Sequence, residues 1–194
     1  MRSRYRITQN DGLYFITSTT VEWIPIFYTE TLFKIVIDSL IFCQKNKNLK
    51  VYVYVILENH FHLIVAGINL SNTIQSLKRY TARQIIKISE KQKKFLLLNQ
   101  FLFYKKRHKI QSKNQIWQEG FHMQLILNDR MLIRAVNYIH NNPVKRGYVH
   151  KPEHWKYSSA RNYLLDDHSV IELDELPVSS RRCIKSINSS CINN

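Results

Sequence analysis

Val51-Tyr52-Val53-Tyr54-Val55-Ile56-Leu57-Glu58-Asn59-His60-Phe61-His62-Leu63-Ile64-Val65-Ala66 reads as two β-strands joined by a tight turn. β-branched and aromatic residues favour a pleated, half-buried surface, and Glu58-Asn59 supplies turn chemistry between them. The first strand is expected over Val51 to Leu57, with Val51, Val53, Val55 and Leu57 on one face and Tyr52, Tyr54 and Ile56 on the other. The second runs from His60 to Ala66. Because strand side chains alternate, His60 and His62 leave one face while Phe61 and Leu63 enter the other. Two imidazoles offered to one point can hold a divalent cation if a third ligand arrives from elsewhere. Without one, they read first as two polar residues on a solvated sheet.

Working outward, Leu13 to Thr20 alternates as a strand, and Leu32, Val36, Ile37, Leu40 and Ile41 recur at helical spacing over Thr31 to Gln44. Ser71 can cap a long helix through Ile74, Leu77, Ala82 and Ile85, and Phe121 to Leu127 suits a fourth strand. A last helix opens at Asn128 or Asp129 and is expected to end at Pro143. The order strand, helix, strand, strand, helix, strand predicts an α+β, ferredoxin-like (RRM-like) antiparallel sheet with helices on one face, plus a C-terminal helix. Between helix and fourth strand, Phe95 to Gln115 carries Phe101, Leu102, Phe103 and Tyr104 into Lys105-Lys106-Arg107-His108-Lys109. That segment reads equally as a solvated loop or as a contact for the bases and backbone of a single strand. Past Tyr163 the composition turns acidic and then Ser/Asn-rich, so residues 1–165 are expected to form one domain and 166–194 an extension, partly disordered.

The chain has 194 residues and is 44% hydrophobic, enough for a real core. Lys plus Arg number 29 against 14 Asp plus Glu, a net charge of +15. Eleven tyrosines and nine phenylalanines accompany that excess. Cations for phosphates and rings for unpaired bases point to nucleic acid, although lysine-rich faces also serve solubility. Cys43, Cys183 and Cys191 are odd in number and form no Cys-x-x-Cys pair, which excludes a disulfide framework and fits a reducing cytoplasm. Met1-Arg2-Ser3-Arg4-Tyr5-Arg6 leads into no apolar signal core, and the greasy run Leu32 to Cys43 contains Lys34 and Asp38 and is too short to span a bilayer. The expectation is a soluble, cytoplasmic, nucleoid-associated protein.

In the last helix Leu132, Ala135, Val136 and Ile139 form the apolar stripe, and Tyr138 and Asn142 are i, i+4 neighbours on one flank of it. His140 falls on the other flank. If this helix crosses the His60/His62 strand, Asn142 can offer an amide oxygen as third ligand and Tyr138 hangs beside the cation. Such a tyrosine suits attack on a phosphodiester: a free phenol has a pKa of about 10 and needs a nearby cation or base. The commonplace alternatives are a core tyrosine with its hydroxyl at the surface and a polar residue before a proline. Tyr80, in Ser76-Leu77-Lys78-Arg79-Tyr80-Thr81 with Gln84 four residues on, is a rival nucleophile.

Four ordered motifs resemble the REP-associated tyrosine transposases, a branch of the single-tyrosine HUH transposases. Asn59-His60-Phe61-His62 resembles the HUH motif, and Tyr138-Ile139-His140-Asn141-Asn142-Pro143-Val144 resembles the family's Tyr-Ile-x-x-Asn-Pro-Val helix end. Ile116-Trp117-Gln118-Glu119-Gly120-Phe121 and Trp155-Lys156-Tyr157-Ser158-Ser159 resemble two further landmarks, so the likeness runs from about Tyr5 to Tyr163. Glu58 stands where such sequences often carry proline.

The resemblance implies an enzyme that cleaves and rejoins hairpin-forming single-stranded DNA, with a covalent 5′-phosphotyrosine intermediate. It implies Tyr138 as nucleophile rather than Tyr80, and His60, His62 and Asn142 as ligands of Mg²⁺ or Mn²⁺. Ligand preference alone also admits Zn²⁺. Lys78, Arg79, Lys105, Lys106, Arg107, Lys145 and Arg146 are the expected DNA contacts. Partners would be palindromic single-stranded DNA and no membrane, with the protein a monomer or a homodimer that shares its tyrosine helices. A non-catalytic RRM-like module displaying Tyr52 and Tyr54 to bases is the main alternative, and a zinc hydrolase a distant one.

Overall fold

A computed structural model describes residues 12–106 and 114–177. Four strands, β1 (Tyr14–Thr19), β2 (Lys50–Ile56), β3 (His60–Ala66) and β4 (His122–Leu125), form one antiparallel sheet in the order β2-β3-β1-β4. The helices are α1 (Glu30–Lys47), α2 (Leu70–Lys91), α3 (Phe95–Phe103), α4 (Asp129–Lys145) and α5 (Ala160–Leu165). This is the α+β, ferredoxin-like arrangement expected from the order of elements.

Two apolar layers sandwich the sheet. Leu32, Val36 and Leu40 of α1 and Ile74, Leu77 and Ile85 of α2 pack with Phe61, Leu63 and Val65 on one face. Leu132, Val136 and Ile139 of α4 pack with Val53, Val55 and Ile64 on the other. Since Ile64 keeps parity with His60 and His62, the imidazoles share the face that α4 covers.

Several local expectations are corrected. Strict alternation in β2 fails at a bulge: Val51 pairs with Val65 and Val53 with Ile64, so Tyr52 is an extra residue. Val51 consequently joins Tyr54 and Ile56 in the α1/α2 layer, while Tyr52, Val53, Val55 and Leu57 lie in the α4 layer. The long helix is entered through Asn69 in a left-handed conformation (φ 55°), and Ser71 lies inside it. Asn128 does cap α4, its side chain accepting from the Met131 amide at 3.0 Å. Pro143 does not end that helix. At position 143 a proline forfeits one amide donor, and the helix continues to a paired end at Gly147. The Gly147 amide donates to Val144 O and the Tyr148 amide to Pro143 O, with Gly147 at φ 74°.

The segment expected as loop or strand contact begins with a helix, α3, whose Leu98 and Phe101 are buried. Residues beyond 165 pack on the body as far as 177. The Asp174 amide donates to Val51 O, its carboxylate accepts from the Val51 amide and Lys50, and Ile171 and Leu176 are buried. The remainder of the extension, from 178 on, lies outside the described residues.

Candidate functional site

The site is built on the sheet face under α4. β1 is central, and Thr17 is opposite His62 on β3 and His122 on β4, which sets three polar side chains in a row across three strands. Thr17 Oγ1 lies 2.7 Å from His62 Nδ1. His62 Nε2 is buried and has no hydrogen-bond partner. A buried ring nitrogen without a partner is costly unless something else occupies its lone pair.

His60 is oriented from the other side. Asn59 Nδ2 donates to Trp23 O at 2.9 Å, which fixes the amide so that Oδ1 faces His60 Nδ1 at 2.6 Å. An amide oxygen only accepts, so His60 Nδ1 carries the proton and Nε2 is left as a bare lone pair. A second partner that fixes ring and tautomer is the usual support of a metal-binding histidine. Burial, with the Arg146 guanidinium adding to it and Glu58 opposing, pushes His60 down to about 4. His62 falls to about 3, through burial first and then the fields of His60, Arg146 and His122. Both rings are therefore neutral near pH 7, the form that ligates.

Tyr138 comes to this pair from α4. Its ring centroid is 5.1 Å from that of His62, edge to face, and 6.0 Å from Phe15. Phe15 in turn stacks on His62 at 5.4 Å. Tyr138 is 44% exposed, so a phosphodiester could reach it from solvent. Asn142, one turn on, is buried. Among the described residues no group of three His, Cys, Asp or Glu side chains could hold a metal ion, so a third protein ligand beside the imidazoles would be of another kind, as an amide oxygen such as that of Asn142 is. Two neutral imidazoles with an amide oxygen suit a divalent cation that accepts nitrogen, Zn²⁺ most readily and then Mn²⁺, and suit Mg²⁺ less well. The residues present thus fit such an ion.

His140 turns away from this group. It is buried against Ser159, with Nε2 2.9 Å from Ser159 Oγ, and burial lowers its pKa to about 3. Tyr80 sits on α2, across the sheet from the imidazoles, and is 54% exposed. Tyr52 and Tyr54 are buried at 6% and 0% exposure, so the sheet does not display them to bases.

The expected DNA contacts divide. Lys78 is buried, and its ammonium donates to Gln118 O at 2.9 Å and to Gly120 O, which commits it to the interior instead of a phosphate. Arg79 and Lys145 are exposed, Lys105 is half-buried, and Lys106 is exposed with an ion pair to Glu119 at 3.1 Å. Arg146 pairs with Glu58 at 2.9 Å, tying the end of α4 to the turn before His60. Arg107 lies outside the described residues. Thr17, Phe15 and Trp23 escaped the sequence reading because their roles depend on antiparallel register and a loop conformation, whereas Asn59 was already visible beside His60.

No family model matches the chain. A curated Haemophilus influenzae protein that carries the provisional name REP-associated tyrosine transposase is 34% identical over 108 residues, 54% of this chain and 54% of that protein. The chain therefore spans about half the length of the curated relative it matches. A solved structure of a REP-associated tyrosine transposase bound to a REP hairpin superposes with a TM-score of 0.62 at 22% identity, covering 91% of this chain and 100% of that one. The second likeness establishes the fold. Together they agree with the resemblance carried by the four sequence motifs: the chain is similar to REP-associated tyrosine transposases.

Proposed function

We propose that this protein is a transposase of hairpin-forming single-stranded DNA, which cleaves and rejoins one strand through a covalent bond to Tyr138. The observation that carries the reading is the placement of the half-exposed Tyr138 ring against His62, whose buried Nε2 has no protein partner. Its similarity to a protein named as a transposase, and to the fold of one bound to a REP hairpin, supports the choice of substrate.

In the proposed reaction the Tyr138 oxygen attacks the phosphorus in line with the bond to the 3′-oxygen. The phenol loses its proton, the P–O3′ bond breaks, the 3′-oxygen gains a proton, and the 5′-phosphate stays on the tyrosine. A free 3′-hydroxyl can reverse the step, so rejoining needs no nucleotide cofactor. Mg²⁺ or Mn²⁺ held by His60, His62 and Asn142 would offset charge on a non-bridging phosphate oxygen and orient the displacement. Asn59 and Thr17 hold the two rings for that role, and Phe15 backs both His62 and Tyr138.

The test is a covalent adduct. Labelled single-stranded DNA bearing a hairpin, incubated with the protein and Mn²⁺, is expected to migrate with the protein on a denaturing gel. Tyr138→Phe should abolish that band and Tyr80→Phe should keep it. Tight binding without any adduct would favour the binding-module alternative.

A further inference from the structure

Trp23 is 53% exposed, whereas Trp117 is 5% exposed. Its neighbours Val21 and Ile24 are buried, so the indole projects outward from an anchored turn. Hydrogen bonds hold that turn from several sides. The Val21 amide donates to Ile116 O, the Trp23 amide to Thr20 O, the Ile24 amide to Val21 O, and Trp23 O accepts from Asn59 Nδ2. Glu22 and Trp23 both adopt left-handed backbone conformations, φ 48° and 56°, which non-glycine residues rarely take. Such strain persists only where surrounding contacts over-determine it, and it clusters at functional sites.

The indole also stands next to the chemistry. Its ring is 5.7 Å from that of His60, edge to face; His60 is 4.8 Å from His62, and His62 is 5.1 Å from Tyr138. Trp23 and Tyr138 thus end a run of four rings whose middle is the imidazole pair. Asn59 links the two functions, since one amide orients His60 and grips the Trp23 carbonyl.

We propose that Trp23 is a base-stacking platform, which takes one unpaired nucleobase flanking the phosphate at His60 and His62 and so fixes the strand in register with Tyr138. The partner chemistry follows from the net charge of +15, which draws a polyanion, and from the continuity of the indole with the imidazole site. Stacking needs a flat ring held still and exposed on one side, and a preformed loop avoids the entropic cost of ordering it on binding. Every base has a π-face, so the platform selects an unpaired base over a paired one more than it reads sequence.

The inference rests on the proposed strand-cleavage reading, and abasic scanning separates the two. Full-length protein, Trp23→Ala and Trp23→Phe are titrated by fluorescence anisotropy against hairpin-bearing single strands, each with one abasic position near the cleavage point. Trp23→Ala is expected to weaken binding of intact DNA by about tenfold and Trp23→Phe by much less. One abasic position should reproduce the tenfold loss in the wild type and cost nothing further in Trp23→Ala. If Trp23→Ala lowers affinity by the same factor on every abasic strand, or not at all, the platform is overturned. A poorly folded variant would lose the same factor on every strand, so a loss that vanishes at one abasic position alone does not come from misfolding. Coupling without a covalent adduct would sink the nucleophile and spare the platform, and an adduct without coupling would do the reverse.

Discussion

A buried imidazole with one nitrogen against a threonine and the other against nothing is a poor seat for a proton and a good one for a Lewis acid. His62 is in that position, and His60 is close to it. The same burial makes stability depend on pH. His60, His62 and His140 hold folded-state values of about 4, 3 and 3, against about 6.5 in an unfolded chain. Between those limits the unfolded chain binds more protons, so the stabilisation is complete above about pH 6.5 and is lost as pH falls toward 4 and 3. At pH 5 each histidine would cost about 2 kcal/mol. Urea midpoints should therefore drop steeply from pH 7 to pH 5, and His140→Gln, outside the proposed ion site, should flatten the slope by about one proton. An unchanged slope in that variant would contradict the burial argument. At this scale the sequence was informative where parity sufficed, as for His60 and His62, and silent where a partner 45 residues away decides, as for Thr17 and His62.

At the scale of elements, Tyr157 to Ser159 runs along the outer edge of β2. The Ile56 amide donates to Tyr157 O, the Ser159 amide to Tyr54 O, and Trp155 Nε1 to Ile56 O. An open strand edge invites pairing with another chain, and this segment closes it. Ser159 joins three elements, because its hydroxyl accepts from the Tyr54 amide and also meets Tyr54 O and His140 Nε2 of α4. Ser159→Ala should leave a buried amide and a buried ring nitrogen unpaired, costing about 2 to 4 kcal/mol in urea denaturation. No measurable loss would mean the hydroxyl is not the link between β2 and α4. The α4 start was legible because Asn128 is a strong capping residue. Its end was not, because proline near a helix end loses only one donor and Gly147 can still close the last turn. The β2 bulge carries no glycine to mark it, so strict alternation assigned Val51 to the wrong layer.

At the scale of the whole molecule, one sheet separates two tasks. The α1/α2 face is packed as an apolar core, and the α4 face carries the imidazoles and Tyr138. Beyond the composition shift at Tyr163, residues up to 177 wrap back onto β2 through Asp174. The fold was legible because six elements in an ordinary order admit few sheets, and the acidic extension was not, because its docking depends on Lys50 and Gln44 far away in sequence. Among the described residues no helix is long and apolar enough to cross a membrane. Within one chain Tyr138 already lies beside His62, so the proposed attack would run in cis. The most direct check is to trap the adduct with hairpin DNA and Mn²⁺, trim it with nuclease, digest it with protease and find the nucleotide by mass spectrometry. The nucleotide mass is expected on the peptide containing Tyr138; its appearance on the Tyr80 peptide, or on none, would contradict a phenol presented to a phosphate beside His60 and His62.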